Sequence, residues 1–353
     1  MRRLRAIIMV FCIVLLASGC WDNRDIDHRL MPVVMGVESI ADGYKVYLQT
    51  PIPESNSLVS RIIIGEGKTI NQIIDTINAD MESRVDLLHV KILLFDKELA
   101  EKGMTDIVAG VMRSRSISSK TLVAICDDDM NAFFSSFEGS TSSTSLLDFF
   151  EKNSGWTPQL AITRTWEIYR SIHSYTRDVA IPILRRGETT LVDYIGSSVI
   201  KNGDMVGEIT PAETLLYNAF NGHSTHGRIE VSDPGSVLIL GNTMSYHSRM
   251  EGQIPSLTTK ITFKVMLLET KGNVSSEQIT KELEEMLTSR YKEILTKLQE
   301  TGADILGTGQ LFRKELNRKN LKKWRTDYFP YMQTEISVDV DIENTGNLKT
   351  SAN

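Results

Sequence analysis

Residues 194–222 read YIGSSVIKNGDMVGEITPAETLLYNAFNG. Two runs, Tyr194–Lys201 and Met205–Ile209, flank Asn202-Gly203, a dipeptide that favours the left-handed backbone of a tight hairpin turn. Thr210-Pro211-Ala212-Glu213 then combines an N-cap, a proline in the first helical turn and a capping-box glutamate. The apolar residues after it predict a helix that stops at Gly222. A hairpin that feeds straight into a helix is an α+β unit, and this one sets the fold class expected for the chain.

Toward the N-terminus the same chemistry recurs. Val33–Ile40 and Tyr44–Gln49 are extended runs around Asp42-Gly43. Thr69 and Gln72 cap a helix with Ile70, Ile73, Ile74 and Ile77 on one face. Leu87–Phe95 reads as one apolar strand carrying His89 and Lys91, and Asp96 caps a short helix, Lys97–Lys102, that Gly103 stops. A helix near Asp106–Arg113 leads to a strand ending at Cys126, read as a buried thiol. Gly139–Ser145 is a polar surface loop. Thr157-Pro158 predicts a helix start running to Tyr175, and Pro182 in Val179–Leu184 suits an edge strand or a domain crossing.

Toward the C-terminus, short strands are expected near Arg228–Val231 and Ser236–Leu240, then a long alternating strand over Ile261–Leu267. Ser275 and Gln278 cap a helix bearing Ile279, Leu283, Met286, Leu287, Ile294 and Leu298, which Gly302 terminates. A second helix is expected over Gln310–Asn317, and Ile336–Ile342 alternates with acids on the outer face. The expected layout is three small α+β domains, each a mainly antiparallel sheet with flanking helices: 20–185, 186–240 and 241–353.

Residues 1–19 are an address. Arg2, Arg3 and Arg5 precede the apolar run Ala6–Leu16, and Ala17-Ser18-Gly19-Cys20 closes it. That is the layout of a secretory signal peptide, too short to span a bilayer as a mature helix. The cysteine after small residues resembles a bacterial lipobox, with Ala17 where leucine is commonest. The resemblance implies S-diacylglycerol at Cys20 and leaves its N-acylation open. Two or more acyl chains anchor stably where one is marginal. Cleavage leaves 36 basic against 45 acidic residues, a net of −9, in place of 39 against 45 and −6. Such a surface excludes nucleic acid as the main partner. With Cys12 in the leader and Cys20 acylated, Cys126 has no disulfide partner.

Catalytic motifs are missing: there is no GxSxG, HExxH, CxxC, Walker A or GxGxxG pattern. Ser289-Arg-Tyr-Lys292 matches SxxK by letters alone. His223 and His226 read as solvated loop residues, Asp127–Asp129 as a helix N-terminus, and His89 as a satisfied core histidine. No catalytic residue, cofactor or metal is expected.

Several segments resemble the Ger(x)C family, the lipoprotein C subunits of bacterial spore germinant receptors. Cys20-Trp21-Asp22 with Arg24, Asp25 and Ile26 is similar to the family's opening, with aspartate where glutamate is usual. His89-Val90-Lys91, Leu99-Ala100 and Gly103 resemble its His-x-Lys strand and following helix. Gly196, Lys201–Gly207 and Glu213-Thr214 match its hairpin and helix, and Asp304, Trp324 and Phe329-Pro330 fall in its order. The resemblance implies a non-enzymatic, lipid-anchored subunit on the outer face of the spore inner membrane. Its implied partners are membrane-embedded A and B subunits, and the complex would respond to a nutrient that the sequence does not name. The alternative is an extracytoplasmic solute-binding lipoprotein delivering a small molecule to a membrane transporter.

Overall fold

The computed structural model describes residue 3 and residues 29–54, 57–140, 145–150, 157–222, 227–231, 235–270 and 275–344. Cys12, Cys20, Trp21, Asp22, His223 and His226 lie outside the described residues.

A two-residue piece, β1 (Arg29–Leu30), precedes the antiparallel run β2 (Val34–Ile40), β3 (Gly43–Glu54) and β4 (Ser57–Gly67). Helix α1 (Ile70–Asp80) starts where Thr69 Oγ1 accepts from the Gln72 amide at 3.2 Å, and it turns Ile73 and Ile77 inward. After β5 (Arg84–Val85), which pairs parallel with β1, come β6 (Ile92–Asp96) and α2 (Lys97–Lys102). Asp96 accepts from the Leu99 amide at 3.2 Å and caps α2 as the sequence predicts. Then follow α3 (Thr105–Ser114), β7 (Leu122–Cys126), α4 (Met130–Ser135), α5 (Ser145–Phe150), α6 (Thr165–Ile172), β8 (Val179–Arg186), β9 (Val192–Lys201), β10 (Asp204–Ile209) and α7 (Pro211–Phe220).

Eight of these strands form one sheet in the order β10-β9-β8-β7-β6-β2-β3-β4. Its centre, β8-β7-β6-β2, is parallel, and antiparallel strands extend it at both ends. Helices α1, α2, α3 and α6 cover one face through Ile73, Leu99, Val108 and Ile168. Phe133, Phe134, Phe137, Leu146 and Phe150 from α4, α5 and their connection cover the other. Gly139 and Ser140, placed in a surface loop by sequence, hydrogen-bond the backbone of Ser60 at 2.9 and 3.0 Å and so cap part of the β4 edge.

The second sheet is β11 (Gly227–Val231), β12 (Gly235–Glu251), β13 (Ile254–Thr270) and β14 (Gln333–Asn344), in that order. Between β13 and β14 the chain forms α8 (Ser276–Thr301), a 3-10 stretch Thr308–Lys314, the single turn α9 (Arg318–Leu321) and a π-helical segment Trp324–Tyr328. The crossover lets β14 lie parallel to β13. Buried Leu283, Leu287, Ile294 and Leu298 of α8 share one core with Val237, Phe263 and Val265 of the sheet. Leu215 and Leu216 of α7 join that core, as do Ala180, Val199 and Ile209 of the first sheet, so α7 fills the space between the two sheets. The whole is a mixed α+β fold rich in antiparallel pairing.

Six sequence expectations are revised. Residues 186–240 have no sheet of their own: β9 and β10 extend the first sheet, while β11 and the start of β12 open the second. The β8–β9 ladder, with one bulge at Ile183/Leu184, continues through Arg185–Asp193 and Arg186–Val192, so the expected boundary at 185/186 falls inside a sheet. The expected helix from Thr157 begins only at Thr165, because Leu122 bridges Arg164 and the Val123 amide donates to Thr163 O at 2.9 Å. Strand β8 is interior, yet its ladder with β7 is only Ile125–Ile183 and Cys126–Leu184; Pro182 precedes it and costs that ladder no bond. His89 ends the 3-10 turn Leu87–His89, where it is exposed, and is no core histidine. The expected helix over Gln310–Asn317 is a 3-10 stretch followed, from Arg318, by α9.

Candidate functional site

Of the residues singled out by resemblance, Lys201–Gly203, Asp304 and Trp324 meet at the seam between the two sheets, whereas His89 and Leu99-Ala100 stay with the first sheet. At the tip of β9–β10, Asn202 has φ 55° and Gly203 φ 96°, the left-handed pair a two-residue hairpin requires. The tip packs on the start of α3: the Met104 amide donates to Gly203 O at 2.9 Å, and Thr105 Oγ1 to Asn202 O at 3.1 Å. A Cβ on Gly203 would stand 2.4 Å from Thr105 Oγ1, so glycine is needed for the approach as well as the turn. From the same strand Lys201 Nζ donates to Thr301 O, at the end of α8, at 2.8 Å.

Behind the tip lie two buried carboxylates. Asp304 is sealed from solvent and accepts from the Thr308 amide at 2.9 Å, the Gly309 amide at 2.8 Å and Trp324 Nε1 at 2.8 Å. Burial pushes its pKa up to about 6, against the pull of these donors. Gly309 lies so close to Trp324 that a Cβ would stand 2.6 Å from the indole nitrogen. Trp324, itself fully buried, packs against Phe312 and Phe329 at centroid distances of 5.1 and 6.2 Å.

Asp178, just ahead of β8, accepts from the Asp304 amide at 2.9 Å and donates its own amide to Asp304 O at 2.9 Å. Its carboxylate takes a bidentate pair from Arg325, Nε at 3.0 Å and Nη2 at 2.5 Å. Burial raises the Asp178 pKa, and the facing guanidinium opposes that rise. Arg325 Nη1 continues to Asn202 Oδ1 at 2.6 Å, which returns the network to the hairpin tip. Asp178, Arg325 and Asn202 thus join first-sheet elements to the segment after α8. The set is a latch, buried at Asp178 and Asp304 and exposed at Asn202. It fixes the relative placement of two sheets and leaves no carboxylate open to a substrate.

Other residues weighed in the sequence have local tasks. Cys126 is buried, and desolvation pushes its thiol up to about 12, far from a reactive thiolate. Asp129 caps α4 through the Ala132 amide at 2.6 Å, Asp128 pairs with Arg186 at 3.0 Å and Asp127 with Lys97 at 3.1 Å. Ser289 Oγ donates to Glu293 at 2.8 Å and does not face Lys292 as a nucleophile would. Among the described residues no three His, Cys, Asp or Glu side chains gather as a metal-sized group. A groove of about 1100 Å³ beside α1 is lined by Arg29, Arg84 and Arg115 together with Asp75, Glu82 and Asp86, and Arg29 already pairs with Asp86. Cys20, the one site residue expected from sequence, falls outside the described residues.

The sequence named Asp304 and Trp324 without giving them a role, and it missed Asp178 and Arg325 altogether. The available signal was an acid set against apolar runs: Asp178 before Val179–Leu184, and Asp304 between Ala303 and Ile305-Leu306. Nothing local tells that Arg325 answers Asp178 across 147 positions.

The chain matches two family models, the spore germination protein N-terminal domain over residues 22–186 and the spore germination B3/GerAC-like C-terminal domain over 195–346. It is similar to spore germination protein GerQC of Bacillus cereus, 20% identical over 81% of this chain and 83% of that protein. Spore germination protein A3 of Bacillus subtilis (strain 168) is 24% identical over 98% of both chains. The crystal structure of the GerBC protein superposes with a TM-score of 0.57 at 17% identity, covering 88% of this chain and 97% of that one, and shares the fold. The two family regions meet between β8 and β9, so the second region lends its first hairpin to the sheet of the first. On these matches, which together span most of its length, the chain belongs to the Ger(x)C family of spore germination proteins.

Proposed function

We propose that the chain is the lipid-anchored, non-enzymatic C subunit of a nutrient germinant receptor. The observation that carries this reading is the pair of family regions over 22–186 and 195–346, the first opening two residues after the lipobox cysteine Cys20. In this reading the diacylglyceryl group on Cys20 holds the body at the outer face of the spore inner membrane. Anchoring raises the effective concentration of the body against membrane-embedded A and B subunits, so weak interfaces suffice for assembly. A latched, two-sheet body with sealed carboxylates supports a docking role over a catalytic one. Among the described residues no helix is long and apolar enough to cross a membrane, in keeping with an anchor supplied by lipid.

The experiment is capture of the tagged chain from detergent-solubilised spore membranes. The expected result is co-purification, in fixed ratio, of two integral membrane proteins whose joint deletion abolishes the same nutrient response. Recovery of the chain alone, from membranes in which both proteins are present and intact, contradicts the assembly.

A further inference from the structure

Beside the latch lies a pocket of a different kind. It has a volume of about 370 Å³ and is walled on one side by Arg170, His173 and Arg177, on the other by Gln310 and Arg313. The first wall is the end of α6 and the turn leading to β8, which belong to the first sheet's layer. The second is the 3-10 stretch Thr308–Lys314 of the C-terminal half. The pocket therefore straddles the same seam as the latch.

Its charges are not balanced. The carboxylate paired with this set is Glu167, 3.9 Å from Arg170 Nη2. Arg177 Nη2 donates to the neutral Asn221 Oδ1 at 3.0 Å, and among the described residues no carboxylate reaches ion-pair distance of Arg177 or Arg313. Arg170 Nε is buried with no hydrogen-bond partner, an unusual state for a guanidinium donor. Burial first, and then the Arg177 charge, disfavour the Arg170 cation. Even so, the side chain is held in place, with its guanidinium carbon 4.9 Å from the Trp166 ring centroid. His173 is likewise positioned by an edge contact with Tyr169 at 4.5 Å.

Three guanidinium groups lining one concavity carry more positive charge than a monocarboxylate neutralises. Guanidinium forks match the paired oxygens of a tetrahedral oxyanion, and the volume leaves room for an organic substituent. We propose that this pocket binds a phosphate-bearing ligand, its phosphate oxyanion held by Arg170, Arg177 and Arg313 across the seam. A phosphate oxyanion is offered by a soluble phosphomonoester and, as a phosphodiester, by the headgroup of an anionic phospholipid. The proposal is independent of the receptor assignment, since binding is read on the purified chain.

The test is calorimetric titration of the full chain in neutral detergent with inorganic phosphate and with glycerol 3-phosphate, against chloride at matched ionic strength. A parallel arm measures co-sedimentation of the Cys20→Ala chain with phosphatidylglycerol vesicles and with phosphatidylcholine vesicles. Saturable binding is expected, weakened at least tenfold by Arg170→Gln and by Arg313→Gln. Arg313 is exposed, so its substitution leaves folding intact and keeps the test valid if the Arg170 variant misfolds. Arginine-dependent binding of the soluble anions assigns a soluble ligand, and arginine-dependent binding confined to phosphatidylglycerol vesicles assigns the lipid headgroup. Absence of saturable binding in both arms, or binding that Arg313→Gln leaves unchanged, overturns the proposal.

Discussion

Two polar clusters stand back to back along residues 176–178 and 309–313, and they are built on opposite principles. In the latch, Asp178 and Asp304 are 1% and 0% exposed, and each carboxylate is met by several donors. In the neighbouring pocket, Arg170, Arg177 and Arg313 face one space with a buried donor left over. The latch behaves as structure, since breaking a satisfied buried network costs the full desolvation of whatever is left behind. The pocket behaves as a cluster of unbalanced charge, because its cations lose little when one of them is removed. Adjacent residues, Arg177 and Asp178, thus belong to different economies of charge.

Stability measurements can sharpen or break that contrast. The largest effect is expected from Arg325→Met, which strands Asp178 in the seam. It should cost about 3–5 kcal/mol in denaturant midpoint analysis at constant m-value. A cost below about 1 kcal/mol would make the latch ordinary surface. Next, Asp304→Ala leaves Trp324 Nε1 and two backbone amides without an acceptor and should cost about 3 kcal/mol.

That second penalty carries a pH signature. Burial raises the folded-state pKa of Asp304 to about 6, above the unfolded carboxylate value near about 4. The folded state therefore binds the proton first. Its extra stabilisation is complete below about pH 4 and is lost as pH rises through 6. The gap between wild type and Asp304→Ala should be widest near pH 4 and narrow toward pH 7. A gap that widens with rising pH would show a carboxylate favoured in its charged form.

Gly203→Ala tests the hairpin tip. At φ 96°, with Thr105 Oγ1 2.4 Å from the new Cβ, it should cost about 1–2 kcal/mol in thermal unfolding. The smallest effect belongs to the pocket: Arg170→Gln should change stability by no more than about 0.5 kcal/mol, in either direction. A loss comparable to that of Arg325→Met would mean that Arg170 is structural and that the two clusters do not differ.

Much of the fold was legible locally. Thr69, Asp96, Thr210 and Ser275 all accept from the amide three residues on, as their sequence positions suggest, and Asn202-Gly203 makes the hairpin. These features depend on a few neighbouring residues, which is why sequence shows them. Sheet order was not legible. Nothing in Val192–Lys201 tells it to pair with Val179–Arg186 rather than start a new sheet, and the Thr157-Pro158 start was overridden by pairing beside β7. The latch was half legible, because Asp304 and Trp324 stood out by resemblance while their partners lie far along the chain. The arginine pocket was invisible, since α6 and the 3-10 stretch meet only in the folded molecule.

The assignment as an anchored receptor subunit meets its most direct test in spores carrying Cys20→Ala. Palmitate labelling, membrane fractionation and the nutrient response are read on the same preparation, with the protein level held equal to wild type. The account predicts that labelling is lost, the chain leaves the membrane fraction, and germination by nutrient falls while germination by a non-nutrient trigger persists. An unlabelled chain that still supports full nutrient germination would contradict it.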